Sequence, residues 1–332
     1  MYLQHFGLEK NPFALTPDPR FLFMTGKHRE ALAALLFAVT EHKGFMVMTG
    51  DAGTGKTTLV QKLLLSMPNT CAQFSVIVNP SLTRSELLES VLMDFGQSEI
   101  PSSKALRLSL LKALLLRAHA EGRTSVLVID EAHLLSAELI NEVRLFSNIE
   151  TSDRKLLQII LAGQNELSSV LELEAMRPFK QRVAIRVHID PLSIGDVKRY
   201  IQTRWSRAAT KRPIPFSEDA IHLIASCSAG IPRVINVICD AALVNAYGTG
   251  NTSIGVPQIN EVVQDLGIVS NAQTSPSPRA PVMSNLASDR PGSIVHPPQP
   301  VSGLERYVPS PRKSPKLWHI SSWFRTAEGK VQ

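Results

Sequence analysis

Phe45-Met46-Val47-Met48-Thr49-Gly50-Asp51-Ala52-Gly53-Thr54-Gly55-Lys56-Thr57 is the stretch that decides the fold. Its first five residues are apolar or β-branched and too few for a helix, so they read as a buried strand. The next eight match G-x-x-x-x-G-K-[ST] and run straight into the helical pattern Thr58 to Leu65. Strand, glycine-rich loop and helix, in that order, are what a phosphate-binding loop requires. The glycines let successive backbone N–H groups turn toward phosphate oxygens at the positive end of the following helix. Lys56 is expected to reach the β- and γ-phosphates of ATP, and the Thr57 hydroxyl to ligate Mg2+. Gly50, Asp51, Ala52, Gly53, Thr54, Gly55, Lys56, Thr57 and Thr58 form the expected nucleotide-binding set. A glycine-rich turn with no ligand is the plain alternative, and a complete motif in the correct frame weighs against it.

Outward from this loop, short β-rich runs alternate with longer helical patterns. Ala72–Val78, Ser125–Ile129, Leu156–Leu161 and Ala184–Ile189 read, with Phe45–Thr49, as five buried strands. Strands separated by helices imply a parallel sheet covered on both faces. Thr83 with Glu86 has the form of a helix-starting capping box, and Ser193 with Asp196 a looser version. After Leu192 the strand signal stops, and helices are expected at roughly 193–210, 217–228, 231–248 and 256–266. The predicted architecture is therefore α/β: a P-loop core on a five-stranded parallel sheet over residues 1–192, a small all-α lid over 193–267, and a disordered tail over 268–332.

A second carboxylate site is needed for the metal and for the attacking water. Val126-Leu127-Val128-Ile129-Asp130-Glu131 supplies it at the end of a strand. Asp130 is expected to hold Mg2+ through its water shell, and Glu131 to act as general base. Two carboxylates at a strand tip that merely cap the next helix are the bland alternative. Asp130-Glu131-Ala132-His133 also spells the DEAH of one helicase class. Those helicases need a second nucleotide-gripping domain, which the helical residues after Leu192 do not resemble. His133 reads as a helix-start residue near the site rather than a catalytic one.

Ala162-Gly163-Gln164-Asn165 puts amides at another strand tip, where one of them is placed to bond the γ-phosphate or orient the water. Gln164 is the choice and Asn165 the spare. Arg177, Arg182 and Arg186 follow. Arg182, just before a strand and far along the chain from the loop, is expected to act as a finger in a neighbour's site, the alternative being an ordinary surface charge. Gly230-Ile231-Pro232-Arg233 starts a helix with an arginine near its N-terminal end. The helix dipole disfavours a cation there unless an anion is close, which marks Arg233 as a γ-phosphate sensor.

With 44% apolar and 19% charged residues, the chain is neither wholly disordered nor a minimal disulfide scaffold. No long uncharged apolar run and no signal-peptide layout occur, and three cysteines without a C-x-x-C pair argue against a disulfide framework, so a cytoplasmic location is expected. The net charge of +6 sits mainly in the last 65 residues, which hold eight basic and three acidic side chains. The body is close to neutral, so net charge does not indicate a nucleic-acid-binding face. Ten of the 22 prolines lie in this tail. Its composition predicts disorder, and Leu317, Trp318, Ile320, Trp323 and Phe324 near its end form a cluster suited to a partner's groove or an anionic membrane surface.

The order of P-loop, Asp-Glu strand, amide-tipped strand, Gln-Arg and Gly-x-Pro-Arg in a helical lid resembles AAA+ ATPases. More narrowly, M-Y-L-x-H-F-G-L at Met1 to Leu8, N-P-F at Asn11 to Phe13, T-P-D-P-R-F-L-F at Thr16 to Phe23, H-R-E-A-L at His28 to Leu32 and G-I-P-R-V-I-N-V-I-C-D-A-A-L at Gly230 to Leu243 resemble the ExeA/GspA-type secretion ATPases. Relatives of that group are associated with type IV pilus assembly and with exosortase and exopolysaccharide loci. The resemblance implies an ATP-hydrolysing homo-oligomeric switch, cytoplasmic or peripheral to the inner membrane, acting on an envelope assembly protein. It carries over Lys56, Thr57, Asp130, Glu131, Gln164, Arg182 and Arg233. A DNA-directed AAA+ regulator of the transposition or replication type is the competing reading. The near-neutral body and the lack of a recognisable helix-turn-helix module stand against it. A nucleotide-gated scaffold with negligible turnover is the third, and an intact Glu131 stands against that.

Overall fold

A computed structural model describes residues 2–16, 21–68, 70–78, 80–209 and 212–268. The tail cluster and the rest of 269–332 lie outside the described residues, as does the Pro17 to Arg20 part of the N-terminal motif. Five strands, β1 (Phe45–Gly50), β2 (Ala72–Ile77), β3 (Thr124–Ile129), β4 (Leu157–Gly163) and β5 (Val183–Ile189), form one sheet in the order β2-β3-β4-β1-β5. Every pairing in it is parallel. The helices are α1 (Tyr2–Phe6), α2 (Gly26–Thr40), α3 (Lys56–Leu65), α4 (Arg84–Asp94), α5 (Lys104–Ala120), α6 (Ala137–Phe146), α7 (Asn165–Glu172), α8 (Arg177–Lys180), α9 (Ile194–Ala208), α10 (Glu218–Ser228), α11 (Pro232–Gly248) and α12 (Val256–Asp265).

Because side chains alternate across a strand, β1 sends Met46 and Met48 to one face and Phe45 and Val47 to the other. Met46 and Met48 pack with Leu35 of α2 and with Leu59 and Leu63 of α3. Phe45 and Val47 join Leu88, Leu115, Ile140 and Phe146 from α4, α5 and α6. The three central strands are buried on both faces, as their unbroken apolar runs require. The edges differ from expectation. β5, read from its apolar letters as buried, alternates half-buried Val183, Ile185 and Val187 with exposed Ala184, Arg186 and His188. It ends the sheet, with no strand beyond it among the described residues, and charged side chains at such an edge discourage pairing with another chain. The capping box at α4 forms, with Glu86 N–H donating to Thr83 Oγ1 at 3.3 Å and Thr83 N–H to Glu86 at 2.7 Å. Ser193 caps α9 through the Asp196 N–H at 3.2 Å.

Helices α9 to α12 share a separate core built on Trp205, Ile224, Ile238, Leu243 and Ile259. Phe6, Leu8, Phe13 and Phe21 belong to that same core. Residues 2–16 and 21–23 are thus a strap that precedes the sheet in sequence and packs among the helices that follow it. Tyr2 Oη and Asn11 Nδ2 both donate to Asp240 of α11, at 2.6 and 2.9 Å. Burial, with the hydrogen bond to that carboxylate and its charge, pushes the Tyr2 phenol far above its ordinary range. Arg204 of α9 is buried and donates to the carbonyls of Pro12, Phe21 and Ala14 and to Tyr200 Oη. Its guanidinium also lies over the Phe21 and Tyr200 rings, at 5.2 and 5.3 Å. A cation held by carbonyls and ring faces clasps the strap, with no carboxylate partner among the described residues. Arg204→Ala strands those carbonyls and is expected to cost about 3 kcal/mol of stability, read as a lower urea midpoint with an unchanged slope.

At the other end of the helices, Ile268 still packs on this core and donates to Val263 O at 3.0 Å.

Candidate functional site

The parallel sheet delivers the C-terminal ends of β1, β3 and β4 to one edge, where the chemistry-bearing residues gather. From β1 the loop Gly50–Gly55 curls into α3. Gly53 has φ +79° and a Cβ there would lie 2.7 Å from Arg233 Cβ, so only glycine fits this crest. Gly55, at φ +101°, is the N-cap of α3 and turns its first N–H groups toward the loop's concave side. Lys56 is buried, and its ammonium donates to Gly50 O at 3.0 Å and Asp51 O at 2.9 Å. Burial pushes its pKa down, opposed by the nearby carboxylates of Glu131, Asp130, Asp51 and Glu166.

Thr57 Oγ1 donates to Asp130 Oδ2 at 2.7 Å, joining α3 to the end of β3. Asp130 Oδ1 accepts the Glu131 N–H at 3.0 Å. Glu131 itself sits at φ +51° and ψ +35°, a left-handed conformation uncommon in residues with a side chain. That turn lifts its carboxylate out of the strand, and the side chain is 42% exposed. His133 Nδ1 lies 3.4 Å from Glu131 Oε2 and accepts the Gln164 N–H at 3.3 Å, tying β3's tip to β4's. The spare amide is the one that reaches the loop, since Asn165 Nδ2 donates to Asp51 Oδ1 at 2.6 Å. Gln164 takes the N-cap position of α7, with no side-chain cap bond, because β4 runs two residues beyond the expected Leu161.

Arg233 is the second residue of α11, and its backbone N–H donates to Gly53 O at 3.3 Å. The bundle therefore touches the loop crest directly. Arg182 is placed differently. It precedes β5, whose Val183 is level with Phe45 at the start of β1, whereas the loop leaves β1 at its end. At about 3.3 Å per residue, the six-residue strand sets Arg182 well over 15 Å from its own chain's loop. There its guanidinium donates to Asn148 Oδ1 and Ser147 Oγ at the end of α6.

The donor set fits Mg2+. A hard, octahedral cation that keeps most of its waters takes one hydroxyl and one carboxylate from the protein and the rest from phosphate and solvent. The Thr57–Asp130 pair has that composition, and no group of three or more His, Cys, Asp or Glu that would suit a softer metal occurs among the described residues. The ion, when bound beside the phosphates, neutralises charge on their oxygens.

Sequence reasoning missed His28. It is buried at the third position of α2 and completes an unusual capping box with Thr25. The Thr25-x-x-His28 spacing was the available signal, but histidine is not the usual Glu or Gln of such a box.

A P-loop at the first strand, an acidic pair at the third, an amide at the fourth and a helical bundle on the loop crest define a P-loop ATPase-type fold. The AAA domain family model matches residues 39–171. General secretion pathway protein A of Aeromonas hydrophila is 40% identical over 258 residues, 76% of this chain and 46% of that protein. The chain thus carries a segment similar to AAA domains and resembles general secretion pathway protein A, of which it spans about half the length. The ATP-dependent target DNA activator B of Escherichia phage Mu is 27% identical over 73% of each chain. In fold, the chain resembles the Aeropyrum pernix ORC2 protein, with a TM-score of 0.60 at 16% identity over 78% of this chain and 72% of that one. No described helix is long and apolar enough to cross a membrane.

Proposed function

We propose that this chain binds and hydrolyses ATP with Mg2+ and works as a homo-oligomeric switch on a bacterial envelope assembly machine. The observation that carries the chemistry is the convergence of Lys56, the Thr57–Asp130 pair and Glu131 on one loop. In this reading the loop N–H groups and Lys56 hold the phosphates, and Thr57 with Asp130 supplies the metal's protein ligands. Glu131, turned outward beside Asp130, takes the proton of the attacking water. Asn165 or Gln164 orients that water, and Arg233 responds to the γ-phosphate at the bundle. Arg182 serves a neighbour's site, because the sheet separates it from its own. Residues 193–267 act as the lid, and the strap moves with them. Phosphate release by the purified chain, dependent on Mg2+ and lost in Lys56→Ala, tests the reading.

The envelope role is supported by the 40% identity to general secretion pathway protein A. The chain is proposed to be cytoplasmic or peripheral to the inner membrane. A second reading, a DNA-directed regulator, is favoured by the likeness to the phage activator. The two part on one measurement: double-stranded DNA raises the turnover of a DNA-directed ATPase and leaves that of an envelope switch unchanged.

The tail, at +5 and rich in proline, is proposed to carry a docking cluster on an extended spacer. Truncation after Ile268, which spares that residue's packing, is expected to keep phosphate release within about twofold. Co-sedimentation with anionic phospholipid vesicles, or partner binding, is expected to be lost. Loss of ATPase activity, or unchanged localisation in cell fractions, counts against a separate docking tail.

A further inference from the structure

The crest of the phosphate loop is met from outside by two groups. Gly53 O accepts the backbone N–H of Arg233, from the helical bundle. The His28 ring, from the start of α2, approaches the loop backbone beside it, at Thr54 and Gly55.

The roles of the two imidazole nitrogens follow from their partners. Nδ1 lies 2.7 Å from Thr25 Oγ1 and 3.4 Å from the Thr25 backbone nitrogen. That hydroxyl already accepts the His28 N–H at 3.2 Å, so it turns its own proton to Nδ1. With Nδ1 accepting, the neutral ring carries its proton on Nε2, the nitrogen that faces the loop. A Cβ on Gly55 would sit 4.0 Å from that same Nε2. Burial pushes the pKa of His28 down and favours the neutral ring this arrangement needs.

His28 is in turn fixed by the strap. Arg204 and Arg207 of α9 donate to the carbonyls of Phe21 and Leu22, and the Phe23 ring meets Tyr200 edge-on at 5.8 Å. Met24–Thr25, which leads into α2 with Thr25 as its cap, follows directly. Both outside grips on the loop thus lead back to one body, the helical bundle with its strap.

We propose that His28 is a positioning residue that holds the phosphate loop in its nucleotide-receiving shape and passes the position of the bundle and strap to it. The proposal rests on the nucleotide-binding reading given above. A loop held open before binding need not be ordered at the moment of binding, so the effect belongs in affinity rather than in the chemical step.

The test compares full-length wild type, His28→Ala and His28→Gln for ATP affinity, KM, kcat and melting temperature. Glutamine is the residue a capping box normally uses at this position. Its carbonyl replaces Nδ1 toward Thr25 and its amide N–H replaces Nε2 toward Thr54. His28→Ala is expected to weaken ATP binding and raise KM by about five- to tenfold, the weight of one net hydrogen bond. Its kcat at saturating ATP should stay within about twofold, and His28→Gln should recover most of the affinity. A His28→Ala protein that binds ATP as wild type does, or loses kcat with KM unchanged, overturns the positioning role. So does a fall in affinity that glutamine leaves unrepaired although the variant melts at the wild-type temperature. Wild-type protein that fails to bind ATP at all would overturn the nucleotide reading itself, a result separate from any difference among the variants.

Discussion

Glu131→Gln is expected to bind Mg2+ and ATP within about threefold of wild type and to release phosphate about 10²- to 10⁴-fold more slowly, the range a positioned general base supplies. The separation follows from the geometry. Glu131 does not hold the loop: its neighbour Asp130 takes the Thr57 hydroxyl, while the Glu131 carboxylate is turned outward by its left-handed backbone. Glutamine keeps the shape and loses the ability to accept a proton. Lys56→Ala is expected to do the reverse. The lysine is buried against the carbonyls of Gly50 and Asp51, and charge-assisted bonds to phosphate from such a site are worth about a hundredfold in affinity. Equilibrium binding of a fluorescent ATP analogue and single-turnover phosphate release measure the two terms separately. Normal turnover by Glu131→Gln would remove the general base from the mechanism.

Arg182→Ala is expected to lower turnover by about 10³-fold while leaving ATP affinity near that of wild type. The sheet puts the length of β1 between this arginine and its own loop, so its effect requires a second copy. Turnover per subunit should therefore rise with protein concentration. Mixing Arg182→Ala with Glu131→Gln subunits should recover part of the activity, at interfaces where an intact Arg182 meets an intact Glu131. Concentration-independent turnover by a monomer would end the finger assignment and leave Arg182 as the partner of Asn148 and Ser147 seen at the end of α6.

Much of the site was legible because it is local. Gly50 to Thr57 is contiguous, and a strand followed by a glycine-rich loop and a helix has few other uses. Asp130 and Glu131 were readable because a strand buried on both faces has no place for carboxylates except at its tip. The edge position of β5 was not readable, since its apolar letters match those of a central strand and only the pairing order exposes it. The choice between Gln164 and Asn165 turned on two residues of strand length, a margin that local pattern does not resolve.

His28 lay deeper still. It lies against loop backbone, which has no letter in the sequence, and its capping partner Thr25 is three residues away in a segment whose purpose comes from distant helices. Local patterns were enough for the α/β class, the candidate phosphate loop and acidic pair, and the helical character of residues after Leu192. Each of these rests on a period or a motif within a few residues of itself. It took the folded chain to show that Phe6, Leu8, Phe13 and Phe21 belong to the core of the last helices, that Arg182 lies a strand's length from its own loop, and that the bundle grips the loop at Gly53. Those outcomes depend on which surfaces meet after the chain crosses the sheet, and such long-range burial leaves no periodic trace in the segments that take part.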